Sequence, residues 1–260
     1  MQWLEVDGAR LEWTRFTAPP PTVGAARAPL VFLHEGLGSI ALWRDWPARL
    51  CAATGRAGWA YSRRGYGRSS PIADVRDEGR HAPDHLHRQA LEVLPQVLAR
   101  LGVEQPVLVG HSDGATIALL YAAHHPVTAG VVMAPHLMVE NVTTRSIRQA
   151  CLAYQEGELR QRLARWHDDV DSAFWQWADI WLDPAFQGFD IRAECAAITA
   201  PLLAIQGVDD EYATLAQIDA VSAAVPHAKR LELAACGHSP HRDQAEAVTT
   251  AIVRFLAGLP

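Results

Sequence analysis

The sequence predicts an α/β domain built on a mainly parallel sheet. Two observations carry this: short apolar runs of strand length recur along the chain, and most are separated by helix-length segments whose apolar residues repeat every three to four positions. A third sets the size. With 260 residues, 49% hydrophobic and 20% charged, the chain has the apolar material for one large core.

The elements follow in order. Residues 3–6 and 11–16 flank Asp7-Gly8, a pair suited to the positive-φ positions of a hairpin turn, so the chain opens with two antiparallel strands. The runs at 29–33, 58–61, 106–109, 130–133, 202–205 and 230–233 read as strands buried on both faces, the pattern of a mainly parallel sheet. Helical spacing covers 42–53, 86–101, 115–123, 215–224 and 245–256, and Pro95 is expected to kink or restart the second of these because it lacks a backbone donor. From His136 to Asp190 the alternation stops. This stretch carries Trp166, Trp175, Trp177 and Trp181 on polar, helical sequence and is too long for a simple loop, so it reads as a helical cap inserted into a single domain spanning 1–260. The Ala/Pro-rich stretch 17–29 reads as a surface connection.

Composition removes several function classes. The 23 Lys+Arg against 29 Asp+Glu give a net charge of −6, and the basic residues are scattered, so no nucleic-acid partner is expected. Cys51, Cys151, Cys195 and Cys236 lie far apart without a C-x-x-C pair, which fits reduced thiols better than disulfides or a zinc site. Acidic residues interrupt the first positions, and no stretch approaches the roughly 20 apolar residues of a span, so neither a leader nor a membrane partner is expected and the reading is cytoplasmic. Nothing in the pattern speaks to oligomeric state.

The chemistry concentrates in Gly110-His111-Ser112-Asp113-Gly114, directly after one apolar strand and directly before a helical pattern. This is G-x-S-x-G in strand-turn-helix context. A serine presented on so tight a turn needs glycine two positions before and after it, since a Cβ there would collide with backbone. Downstream, Gly207-Val208-Asp209-Asp210 follows one strand and Cys236-Gly237-His238 follows the last, giving the chain order serine, acid, histidine. A serine hydroxyl becomes nucleophilic when an imidazole takes its proton, and a carboxylate fixes the imidazole tautomer.

With these motifs in this order the chain resembles the α/β-hydrolase fold family. The resemblance runs over nearly the whole sequence and takes in the His34-Glu35-Gly36-Leu37-Gly38 turn and the Arg64-Gly65-Tyr66-Gly67-Arg68-Ser69 loop. It implies an eight-stranded, mainly parallel sheet flanked by helices, a small helical cap, and catalysis without metal or organic cofactor. It implies Ser112 as nucleophile, His238 as base and Asp210 as acid, the last on the family's Gly-x-x-Asp spacing with Asp209 as runner-up. His241, three residues after His238, is expected at the surface or at a helix cap. For the oxyanion hole the family implies the backbone N–H groups of Asp113 and Gly36. Glu35 stands where the family most often has glycine, which would move the second donor to Leu37.

Other constellations are read blandly. His81, Asp84, His85 and His87 are taken as a solvated helix start, since His85 and His87 point to different sides of a helix. Arg63, Arg64 and Arg68 are taken as structural rather than anion-binding. Asp113 is taken to start a helix, where negative charge complements the dipole, rather than to serve recognition by meeting a donor on the substrate or the cap. Trp175, Trp177 and Trp181 are candidate walls of an apolar acyl pocket. The resulting expectation is a serine hydrolase acting on a small-molecule carboxylic ester, thioester or lactone through an acyl-enzyme. Two rivals remain: hydrolysis of a carbon–carbon bond in a vinylogous diketone on the same triad, and a non-catalytic small-molecule receptor on the same fold.

Overall fold

A computed structural model describes residues 2–17 and 27–260. Its eight strands form one sheet in the order β1-β2-β4-β3-β5-β6-β7-β8. The hairpin β1 (Gln2–Val6) and β2 (Ala9–Phe16) turns through Asp7 and Gly8, both at positive φ as expected. β2 runs antiparallel to β4, and all later pairings are parallel. β3 (Leu30–Leu33), β4 (Gly58–Tyr61), β5 (Val107–His111), β6 (Ala129–Met133), β7 (Leu202–Gly207) and β8 (Lys229–Leu233) fall on the expected runs. The expected surface connection at 17–29 lies mostly outside the described residues.

Because side chains alternate across a strand, each buried strand feeds two cores. Leu30 and Phe32 of β3, with Val107 and Val109 of β5, pack toward α1 (Trp46–Thr54) and toward Val248, Ile252 and Phe255 of the C-terminal helix at Ala245–Leu256. Val31, Leu33 and Leu108 pack on the other face, against the helices of 85–124. There α2 (His85–Arg88) passes through a π-helical turn at Gln89–Val93 into α3 (Leu94–Leu101). Pro95 accounts for the widened turn: it offers no N–H to the preceding turn, so the helix changes its hydrogen-bond spacing ahead of the proline and restarts.

α4 (Asp113–His124) follows β5 directly. Between β6 and β7 the chain forms α5 (Asn141–Gln155), α6 (Glu158–Leu163), α7 (Val170–Trp181), a 3-10 turn at Pro184–Phe186 and α8 (Arg192–Cys195). A backbone bridge between Met138 and Asp190 closes this insertion at its base. α7 begins where Asp169 accepts a hydrogen bond from the Ser172 N–H at 2.9 Å, capping an exposed donor. α9 (Ala216–Ala224), α10 (Pro240–Asp243) and α11 (Ala245–Leu256) complete the chain. No helix among the described residues is long and apolar enough to cross a membrane.

Candidate active site

β5 ends in a tight turn into α4. Ser112 has φ 52 and ψ −120, a backbone that L-residues rarely adopt. The flanking glycines are required sterically: a Cβ on Gly110 would stand 2.3 Å from the Gly114 carbonyl oxygen, and one on Gly114 would stand 2.0 Å from that of Leu33. The turn places Ser112 Oγ 2.9 Å from Nε2 of His238. Nδ1 of the same ring lies 2.8 and 3.0 Å from the two carboxylate oxygens of Asp210.

The Asp210 side chain is fully buried, and Oδ1 also accepts the N–H groups of Tyr212 at 2.8 Å and Ala213 at 3.1 Å. Burial alone would raise the Asp210 pKa. The His238 hydrogen bond, its charge and the Tyr212 N–H outweigh burial and hold it below the usual carboxylate range. For His238 burial works to lower the pKa, and the Asp210 bond and charge overcome it and raise it. Asp209, by contrast, is exposed, and its N–H serves the turn by bonding the Cys236 carbonyl at 3.0 Å.

The Glu35-Gly36-Leu37-Gly38 turn lies against this group, closed by the Gly38 N–H on the Glu35 carbonyl at 3.1 Å. Arg63 fixes it from the end of β4, donating to the carbonyls of His34 at 2.5 Å and Glu35 at 2.9 Å. Arg63 is therefore occupied by backbone, consistent with a structural role. Glu35 folds back so that Oε2 lies 3.3 Å from His111 Nδ1, an ion-pair distance without the alignment of a hydrogen bond. Burial would raise the Glu35 pKa, yet the surrounding histidines, His111 foremost, hold it far below the carboxylate range.

A cavity of about 110 Å³ opens on Ser112 Oγ, walled by Gly36, Asp113, His136, Trp177, Trp181 and Tyr212. A larger groove of about 530 Å³ lies elsewhere, between the hairpin and residues 72–93, and does not reach Ser112. Among the described residues the Ser112–His238 pair lines the smaller of these two cavities.

The structure departs from three expectations and extends a fourth. Trp175 does not reach the cavity: it packs on Tyr154 and Phe174 beneath the Arg76 guanidinium, while Trp177 and Trp181, one turn apart on α7, share the face that lines it. Asp113 starts α4 as expected, and its buried carboxyl also meets a donor on α7, Oδ1 accepting from Trp181 Nε1 at 3.1 Å. Burial raises the Asp113 pKa, with Arg63 and the indole N–H acting against it. His241 is not at the surface: it is 2% exposed, its ring 4.6 Å from that of Trp43 and 5.3 Å from that of Trp46. The histidines at 81–87 are not merely solvated. His81 stacks on His85, which abuts Phe186, and His87 pairs with Glu194 at 2.9 Å.

His136 and Tyr212 were not visible as site residues in the sequence. Their rings lie 5.6 and 4.9 Å from that of His238. Burial, then repulsion from His238, pushes the His136 pKa down to about 3, so it lines the cavity as a neutral ring. The available signal was positional: each follows a strand at the carboxyl edge of the sheet, where sites of α/β folds assemble.

The sequence profile of the alpha/beta hydrolase family matches residues 30–251. A pimeloyl-acyl-carrier-protein methyl ester esterase of Xanthomonas campestris pv. campestris is 37% identical over 71 residues, covering 27% of this chain and 28% of that one. A bifunctional esterase/perhydrolase of Acinetobacter calcoaceticus is 34% identical over 107 residues, 40% of this chain and 34% of its own. Both matches thus span well under half of either protein. Among solved structures, the enol-lactonase of Burkholderia xenovorans LB400 superposes with a TM-score of 0.74 at 22% identity, over 98% of this chain and all of that one, which is likeness of fold. The profile match spans most of the chain, from β3 into α11, and on that match the protein belongs to the alpha/beta hydrolase family.

Proposed function

We propose that the protein is a serine hydrolase that cleaves a small carboxylic ester, thioester or lactone through an acyl-enzyme. The observation that carries this reading is the chain Ser112 Oγ, His238 Nε2, His238 Nδ1, Asp210 Oδ1, with separations of 2.9 and 2.8 Å at its two hydrogen bonds. Ser112 attacks the carbonyl carbon as His238 takes its proton. Asp210 holds the ring in the tautomer that leaves Nε2 free to accept, and stabilises the imidazolium once formed. The oxyanion forms against the backbone N–H of Asp113, at the positive end of α4, and against that of Gly36. His238 then returns its proton to the leaving group, and water repeats the sequence on the acyl-enzyme. Trp177 and Trp181 wall the acyl side, and the esterase names of the two partial relatives support the same class.

A panel holding one short acyl group constant as oxygen ester, thioester and lactone, with a vinylogous diketone beside it, tests the reading. A pre-steady-state burst of leaving group from at least one of the first three is expected. Turnover of the diketone alone would transfer the activity to carbon–carbon hydrolysis.

A further inference from the structure

Resting on that reading, the structure narrows the acyl group. Trp177, Asp113 and Gly36 all line the cavity, and from the point where a Cβ on Gly36 would stand, Trp177 Nε1 is 2.4 Å away and Asp113 Oδ2 is 3.1 Å away. The two atoms are thus no farther apart than these distances combined. Asp113 Oδ1 is engaged by Trp181, but Oδ2 and Trp177 Nε1 have no hydrogen-bond partner among the described residues, and neither is fully buried. One donor and one acceptor without protein partners therefore lie side by side at the cavity, next to the turn proposed to hold the oxyanion.

Few groups satisfy both. An ammonium offers only donors and would meet the indole N–H head-on. An ether or carbonyl offers only acceptors and would oppose the carboxylate. A carboxylate would in addition meet the charge of Asp113 and Glu35, while Arg63 is committed to the backbone carbonyls of His34 and Glu35. A hydroxyl both accepts and donates through one atom, and at ordinary lengths and angles it bridges a donor and an acceptor roughly 4.5–5 Å apart. We propose that Trp177 Nε1 and Asp113 Oδ2 form a hydroxyl-recognition subsite, so that the preferred substrates carry a short acyl group bearing a hydroxyl near the scissile carbonyl. Its oxygen accepts from the indole and its proton goes to the carboxylate. Leaving both protein atoms unpaired when the hydroxyl is missing is what penalises the plain acyl group.

The test compares kcat/KM for 2-hydroxybutyrate, 3-hydroxybutyrate and butyrate esters of one leaving group, on the unmodified protein, Trp177→Phe and Asp113→Asn. At least one hydroxy ester is expected to exceed butyrate tenfold or more. Trp177→Phe keeps an aromatic wall without the N–H and is expected to bring that ratio within about threefold of one; Asp113→Asn is expected to reduce it as well. Butyrate cleaved as fast as both hydroxy esters, a ratio that neither variant moves, or labelling of Ser112 by a phosphonate with none of the three esters cleaved, overturns the subsite and leaves the hydrolase reading standing. Failure of both labelling and cleavage overturns the two together.

Discussion

His111 Nε2 lies 2.7 Å from the carbonyl oxygen of His238, so the residue before the elbow serine holds the backbone of the loop that carries the proposed base. A carbonyl only accepts, so Nε2 donates. Glu35 stands at the ring's other nitrogen, and the Glu35–Gly38 turn, the elbow and the His238 loop are thereby joined through one buried side chain. His111→Phe keeps a ring in place but leaves the carbonyl unpaired. The expected result is a stability loss of about 1–3 kcal/mol by denaturant titration, with kcat falling more than KM rises. An unchanged kcat would limit His111 to packing.

Asp210 and Asp209 are separated by what they touch. Asp210→Asn is expected to lower kcat by about four orders of magnitude, whereas Asp209→Asn, at an exposed turn, is expected to stay near the unmodified rate. The pH profile gives a second reading. His238 must be neutral to accept the serine proton, and its pKa is raised above 6.5, so kcat/KM is expected to fall as pH drops through a value above 6.5. Without Asp210 burial dominates, and the acid limb of the residual activity is expected to move down. By linkage, the raised His238 pKa stabilises the fold fully below 6.5, and that contribution fades as pH rises through the folded value.

His241 has the opposite sign. Burial, then repulsion from His111, pushes its pKa well below 6.5, so below 6.5 the unfolded chain takes up a proton that the folded protein refuses, and stability declines as pH falls. His241→Phe preserves the contacts with Trp43 and Trp46 and removes the titration. Below pH 6.5 its stability is expected to fall less steeply, by up to about 1.4 kcal/mol per pH unit, one proton's worth. Parallel curves for the two proteins would show that His241 is protonated in the fold.

The tryptophans of α7 divide by face. Trp175→Ala is expected to lower Tm through lost contact with Tyr154, Phe174 and Arg76 while leaving the ratio of kcat/KM between short and long acyl esters unchanged. Trp181→Phe removes the donor to Asp113 Oδ1 and alters the cavity wall, and is expected to change that ratio. A ratio that follows Trp175 instead would place substrate on the other face of the helix.

These cases show what one sequence exposes. The strands were legible because burial on both faces leaves uninterrupted apolar runs, and the elbow because the Gly110 and Gly114 contacts tolerate no side chain. Asp210 was legible through its distance from Gly207. The positions of Trp175, His241 and the Asp113 carboxyl were not. Composition puts tryptophan near a pocket but does not give the rotation of its helix, and nothing local to His241 reveals that Trp43 and Trp46, far away in the chain, close over it. The Glu35–His111 and Asp113–Trp181 pairs join segments that only the folded sheet edge brings together.

Ser112 is proposed as the nucleophile of a serine hydrolase, activated by His238. Peptide mass spectrometry after a fluorophosphonate probe tests it most directly. One adduct is expected, on Ser112; its formation slows sharply in His238→Ala, and it is absent in Ser112→Ala along with esterase turnover. An adduct on another residue, or full turnover by Ser112→Ala, would contradict it.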